Sequence, residues 1–371
     1  LGSGREIQNF FFILVMWSSI LFKLRWLFVG MFADQSQWLD GIAKSLGYES
    51  VQHHAVIIDA GSSGSRVLAY KFRGISRVLN SPTDEGDSTP NFFLLLTLYM
   101  QGADTIVQLI KKAEFLTPAE RRRATPLIVR ATAGLRLLPA DKAQQLIDHV
   151  AEAIATLGYD VGPDSVKIMD GSDEGIFIWY TVNLLHSESY TMAALDLGGG
   201  STQITCELRA GDAARYPAAD QYVVPAGVNV TLYTHSYLNL GLLAARYGIF
   251  RIETGDNDTG ELTSVCVDPI VQREPWTYAN KQYLVGGIFF GGTVSVSQYR
   301  AHAQRACSAA NVDQPWACVD LVYVLVLLRD VYNIQDKEPI SLFKKVDGHE
   351  VSWALGLAYT TMMNRLAAAA H

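Results

Sequence analysis

The phrase Val56-Ile57-Ile58-Asp59-Ala60-Gly61-Ser62-Ser63-Gly64-Ser65 returns as Ala193-Ala194-Leu195-Asp196-Leu197-Gly198-Gly199-Gly200-Ser201-Thr202, with the aspartate, the first glycine and the terminal hydroxyl in the same places. A strand-plus-turn unit repeated about 140 residues apart constrains the chain to two related halves. In each copy an apolar strand runs into a glycine-rich turn. An alternating run then follows, Val67 to Phe72 in one and Gln203 to Leu208 in the other, which reads as the return strand of a hairpin. Glycines let a backbone approach a ligand closely, and successive N–H groups with Ser or Thr hydroxyls make a nest for phosphate oxygens. The strand-ending Asp59 and Asp196 supply hard oxygen ligands. Carboxylates beside a phosphate cradle repel it unless a divalent cation stands between, so the pair predicts Mg²⁺ or Ca²⁺ held through water.

At 371 residues, 49% hydrophobic and 18% charged, the chain can bury enough core for two lobes, which excludes a disordered or fibrous protein. Its net charge of −7 is not concentrated and disfavours nucleic acid as a partner. Arg121, Arg122 and Arg123 are the one basic run. They follow Thr117-Pro118-Ala119-Glu120, which reads as a capping box, so a solvated helix face is expected there rather than a phosphate site.

Between the two copies the pattern is that of an α/β lobe. Ala143, Leu146, Ile147, Val150, Ala151, Ile154 and Leu157 follow helical spacing up to Gly158, and residues 126–131 form a short apolar strand from which Thr132 to Arg136 turns out. Residues 169–175 form a polar turn ahead of the apolar run 176–185. There Glu174 reads equally as an acid favoured by a helix N-terminus and as a catalytic carboxylate.

The stretch from Phe10 to Phe32 resembles a targeting segment and is expected to act as a signal anchor in preference to a cleaved signal, although Lys23 and Arg25 flank it on the side the positive-inside rule disfavours. Asn229 and Asn257 begin N-x-[ST] sequons, which matter in a secretory compartment. Cys307 and Cys318 are near enough to close a short loop in an oxidising lumen, while Cys206, on the alternating strand with Ile204 and Leu208, reads as a buried thiol. These features place the protein in the ER or Golgi lumen or outside the cell, anchored to a membrane or secreted.

Five motifs in order resemble the apyrase family, the nucleoside triphosphate diphosphohydrolases: 59–66 (DAGSSGSR), 131–136 (ATAGLR), 171–175 (GSDEG), 196–203 (DLGGGSTQ) and 353–356 (WALG). Residues 233–238 and 318–321 are similar to its lumenal nucleoside-diphosphatase branch. The resemblance implies an α/β, two-lobed fold of the actin, sugar-kinase and RNase-H type with a mixed sheet in each lobe. Residues 1–50 would precede it; 51–172, completed by 351–371, would form lobe I, and 173–350 lobe II. It further implies a monomer that hydrolyses nucleoside diphosphates, and triphosphates as well, with Ca²⁺ or Mg²⁺. Glu174 would be the general base, with Ser201 and Gln203 aligning the attacking water. Gly61, Ser62, Ser63, Gly64, Ser65, Arg66, Thr132, Gly198, Gly199 and Gly200 would bind phosphate, and Asp59 and Asp196 would organise the metal's water shell. Trp353 reads as core packing, with Gly356 permitting a close backbone approach that wedges the C-terminal helix onto the first lobe.

Two stretches depart from that family. Its polar glycine-proline segment after the first hairpin is replaced by residues 75–100, ending in the apolar run 92–100, and the region after Cys266 is shorter, without the second cysteine partner or the aromatic loop that holds the base. Base preference is therefore not legible. The competing readings are an exopolyphosphatase-like hydrolase and a nucleotide-binding protein without catalysis on the same fold.

Overall fold

A computed structural model describes residues 48–62, 64–77, 96–98, 103–186, 190–209, 211–225, 229–254, 275–278, 281–283, 292–309, 314–343, 345–346 and 349–369. The apolar stretch 10–32, Ser63, Cys266 and the Asn257 sequon lie outside them. Among the described residues no helix is long and apolar enough to cross a membrane.

The first copy of the repeated phrase is a hairpin, as its alternation predicts. Strand β1 (Tyr48–Gly61) pairs antiparallel with β2 (Gly64–Arg77), and β3 (Leu96–Leu98) adds to β2 as an edge strand. Those three residues are the described part of the apolar run 92–100. After helix α1 (Ala103–Ala113) come β4 (Leu127–Ala131), a short α2 (Ala133–Arg136), α3 (Ala140–Ala155) and β5 (Val166–Ile168), which complete a mixed sheet in the order β3-β2-β1-β4-β5. Side chains alternate across β1 into two cores. Val56 and Ile58 pack with α1 and α3, whereas Ala55 and Ile57 join a core containing the helices described next. All four are essentially without solvent exposure, and each fully buried Val or Ile stabilises the fold by about 1.5–3 kcal/mol.

Helix α3 keeps the expected register, burying Ala143, Ile147, Val150 and Ile154, although Leu146 on its edge is exposed. Gly158 follows its end at φ +76°, a value L side chains disfavour. The expected capping box does not form. Pro118 is extended (ψ 138°), so the segment Ala119–Ala124 starts one residue late, as a 3-10 helix without a side-chain cap. Arg121 and Arg123 are nonetheless solvent-facing, and Arg122 pairs with Glu114 at 3.2 Å.

Helix α4 (Gly171–His186) is buried around most of its circumference, which marks a helix held between layers. On one side lies a second sheet, β6 (Ala194–Leu197), β7 (Ser201–Glu207), β8 (Gln221–Pro225) and β9 (Asn229–Leu238), in the order β6-β7-β9-β8. Its described strands pair antiparallel throughout, so the expectation of a mixed sheet is met only by the first; two hairpins, β6-β7 and β8-β9, are joined by the pairing of β7 with β9. The buried side of β7 also differs from expectation. Ser201, Thr202, Gln203 and Thr205 are buried, whereas Ile204 and Cys206 are half-buried, because the interior this strand faces is a polar site.

Beyond β9 come α5 (Leu242–Thr254), the ribbon β10 (Pro275–Tyr278) and β11 (Lys281–Tyr283), then β12 (Gly292–Ser295) paired with β13 (Pro339–Leu342). Between the last two lie α6 (Val296–Ser308), started by a Ser295–Gln298 capping box, and α7 (Ala317–Val326), which a Cys307–Cys318 disulfide ties to α6 as the spacing predicts. A short hairpin of β14 (Lys345–Val346) and β15 (His349–Glu350) leads into α8 (Trp353–Ala369), which packs on α4 and β1. Trp353 is core, as expected. At Gly356 a Cβ would lie 2.0 Å from the Phe177 carbonyl oxygen, so α8 and α4 meet backbone to backbone.

Candidate active site

The two repeated hairpins place their aspartates identically: Asp59 pairs across the strands with Arg66, and Asp196 with Gln203, each partner seven residues on. Their turns converge. A Cβ added at Gly199 would meet Ser62 Oγ at 2.8 Å, and one at Gly200 would meet Ala133 Cβ at 2.9 Å and Ser62 Cβ at 3.5 Å. Ser62, Gly199, Gly200 and the start of α2, next to the buried Thr132, thus form one wall of glycine and hydroxyl groups. The Gly198 N–H closes the second turn onto the Ser201 carbonyl at 3.0 Å.

Glu174 enters this wall from the first turn of α4. Its Oε2 accepts from Arg136 Nη2 at 2.5 Å and from Gln203 Nε2 at 3.1 Å. Gln203 Nε2 also reaches Ser201 Oγ at 2.9 Å and Ser236 Oγ at 3.1 Å, and Arg136 Nη2 reaches Ser201 Oγ at 3.1 Å. Gln203 Oε1 is buried and has no partner among the described protein groups. An acceptor beside a carboxylate is what a donating water needs. The three residues expected to carry catalysis, Glu174, Ser201 and Gln203, are therefore one hydrogen-bonded cluster.

Burial, then the charge of Asp196, raises the Glu174 carboxyl to about 8 against the pull of Arg136. Burial raises Asp196 to about 6, and raises Asp59 as well, though Arg66 opposes both shifts. Glu174 feels the charge of both aspartates and Asp196 that of Asp59, which marks a place where negative charge is concentrated and undercompensated. Among the described residues no group of three His, Cys, Asp or Glu side chains is gathered closely enough to cage a metal. That donor set suits a hard cation that keeps its waters and shares its shell with phosphate oxygens, and does not suit an all-protein cage.

Arg66 Nε donates to Asp59 Oδ2 at 2.7 Å and its Nη1 to Glu350 Oε1 at 2.9 Å, so this residue of the first motif is engaged by carboxylates. Gly61, Gly64 and Ser65 complete the first hairpin's turn end, and Asn229 is exposed at the start of β9. Arg136, Ser236, Glu350 and Tyr332 were not singled out as site residues by sequence. Arg136 stood within the second motif and Ser236 within the alternation of β9; Glu350 and Tyr332, which meets Thr202, carry no local signal.

Paired Asp-led glycine turns around a buried carboxylate and an oriented amide make a site shaped for phosphate chemistry on an α/β fold. Residues 46–284 and 294–369 match the GDA1/CD39 (nucleoside phosphatase) family, and the chain belongs to it. It is similar to nucleoside-diphosphatase uda-1 of Caenorhabditis elegans, 29% identical over 87% of this chain and 85% of that one, and to human nucleoside diphosphate phosphatase ENTPD5, 30% identical over 88% and 92%. Among solved structures an exopolyphosphatase from Cytophaga hutchinsonii aligns at 14% identity with a TM-score of 0.43, covering 84% of this chain and 98% of that one.

Proposed function

We propose that this enzyme removes the terminal phosphate of nucleoside diphosphates, and of triphosphates as well, using a water activated by Glu174. The observation that carries the reading is the buried cluster in which Gln203 Nε2 ties Glu174 to Ser201 while Gln203 Oε1 keeps a free acceptor. Water held by Gln203 and Ser201 gives its proton to Glu174 and its oxygen to the terminal phosphorus. The bridging P–O bond breaks, releasing phosphate and the shortened nucleotide. A carboxyl raised to about 8 but held by Arg136 is a competent base near neutral pH. The turns around Ser62, Ser63, Ser65 and Gly198 to Gly200, with Thr132, bind the phosphates. Arg66, itself held between Asp59 and Glu350, positions Asp59. Asp59 and Asp196 would hold a hydrated Ca²⁺ or Mg²⁺, which when bound would neutralise phosphate charge.

A secretory-lumen or extracellular placement, with membrane attachment through residues 10–32, belongs to the same proposal. It is supported by the Cys307–Cys318 disulfide, a bond uncommon in reducing compartments, and by the exposure of Asn229 at the head of its sequon. Phosphate release from UDP, GDP, ADP, ATP and polyphosphate, with and without each cation, tests the chemistry. Diphosphates are expected to be cleaved in a metal-dependent way, and Glu174→Gln to lose at least about 100-fold, within the range general-base catalysis contributes. An unchanged rate in that variant removes Glu174 as the base, and cleavage of polyphosphate alone replaces the nucleotide reading.

A further inference from the structure

The carbonyls of the second glycine turn are all claimed from one direction. Asn239 N donates to Gly200 O at 2.9 Å, Leu242 N to Gly198 O at 2.9 Å, and Leu243 N and Ala244 N to Gly199 O at 3.0 Å each. A trans peptide points its C=O and N–H oppositely. Drawing the Gly198 and Gly199 carbonyls toward the start of α5, and the Gly200 carbonyl toward Asn239 in the connection ahead of it, therefore turns the N–H groups of Gly199, Gly200 and Ser201 away from that segment, as a phosphate nest requires.

The first turns of α5 are in turn held from α7. Arg246, one turn inside α5 and 1% exposed, forks onto the buried Asp320, with Nε to Oδ1 at 2.6 Å and Nη2 on Oδ2. Its guanidinium lies 5.6 Å from the Trp316 ring centroid. Tyr323 OH, also on α7, donates to Leu240 O at 2.6 Å. Just beyond α7, Tyr332 OH meets Thr202 Oγ1, which donates to the Asp196 carbonyl at 2.6 Å. One disulfide-tied element thus grips the second hairpin and the start of α5 at three points.

We propose that Arg246 and Asp320 are positioning residues for phosphate binding, acting through α5 to aim the Gly199, Gly200 and Ser201 N–H groups at the substrate's phosphate. The inference rests on the phosphate role given above to that turn. A bidentate fork suits the task because it fixes orientation as well as distance, which a lysine cannot reproduce.

The test measures KM for UDP, inhibition by inorganic phosphate, kcat and the pH profile in the full-length enzyme and three variants. Asp320→Asn is expected to raise KM and the phosphate inhibition constant fivefold or more in parallel, with kcat changed less than twofold and the pH profile in place. Arg246→Lys should fall between it and wild type. Because breaking a buried ion pair can unfold a protein, Leu242→Pro is the independent arm: proline suits the backbone of a first helical position, and its ring replaces the N–H that holds Gly198 O and pushes that carbonyl out of place. It should shift the same two constants in the same direction. If wild type hydrolyses UDP and is inhibited by phosphate while folded Asp320→Asn or Leu242→Pro matches it in both constants, the brace is refuted and the phosphohydrolase reading survives. A wild-type chain showing neither hydrolysis nor phosphate inhibition overturns both.

Discussion

Replacing Glu174 by Gln should stabilise the cation-free protein, and by an amount that grows with pH. The side chain is buried, and its carboxyl is raised from an ordinary 4.5 to about 8 by burial first and Asp196 second. A group whose folded-state proton affinity exceeds its unfolded one favours the fold while protonated. That contribution is complete below about pH 4.5 and is lost as pH rises toward 8, where the native state must carry an ionised, poorly solvated carboxylate. At 1.36 kcal/mol per tenfold in proton affinity, the rise corresponds to on the order of 5 kcal/mol. Gln mimics the protonated acid and escapes this loss. For a chain of this size each kcal/mol moves Tm by a little over about 1 °C, so the variant should melt within about a degree of wild type near pH 4.5 and roughly 6 °C above it near pH 9. Thermal unfolding in chelator across that range measures the gap, and Mg²⁺ or Ca²⁺ should shrink it by stabilising the wild type. A gap independent of pH would refute the reasoning, since Glu174 would then hold one protonation state throughout, with Arg136 alone keeping it ionised.

Arg136→Gln removes the partner that pulls Glu174 toward its ionised form, so the acid limb of the rate profile should move to higher pH and activity at neutral pH should fall at least about tenfold; initial rates against pH check both. Gly356→Ala forces a Cβ against the Phe177 carbonyl, where no flexible side chain can yield, and should cost about 3 kcal/mol, seen as a Tm drop of about 4 °C. Cys307→Ser with Cys318→Ser opens a loop of sequence separation 11 and should cost about 3 kcal/mol by loop-closure entropy, read by chemical denaturation against the oxidised protein.

How far the site was legible follows from what each residue's neighbours in sequence reveal. Asp59 and Asp196 announced themselves because strand, turn and ligand are contiguous, and because the unit occurs twice; the identical cross-strand pairing of both aspartates is that repetition in three dimensions. Arg136 lay inside a motif yet its partner is 38 residues away, so only the packing of α2 against the start of α4 shows that it controls the base. Glu350 meets Arg66 across 284 residues of chain, beyond any periodicity. On β7 the alternation misleads for a related reason. Alternation alone assigns the interior to Ile204 and Cys206, but the interior here is the reaction site, and it takes Ser201, Gln203 and Thr205 because Gln203 and Thr205 find hydrogen-bonding partners on α4 or β9 and Ser201 finds Arg136 of α2 and Gln203. Burying such groups is favourable only where their partners are also buried. A strand whose inward face is polar is therefore better evidence of chemistry than one that follows the hydrophobic rule, and in this enzyme it is the return strand of the second aspartate hairpin that carries it.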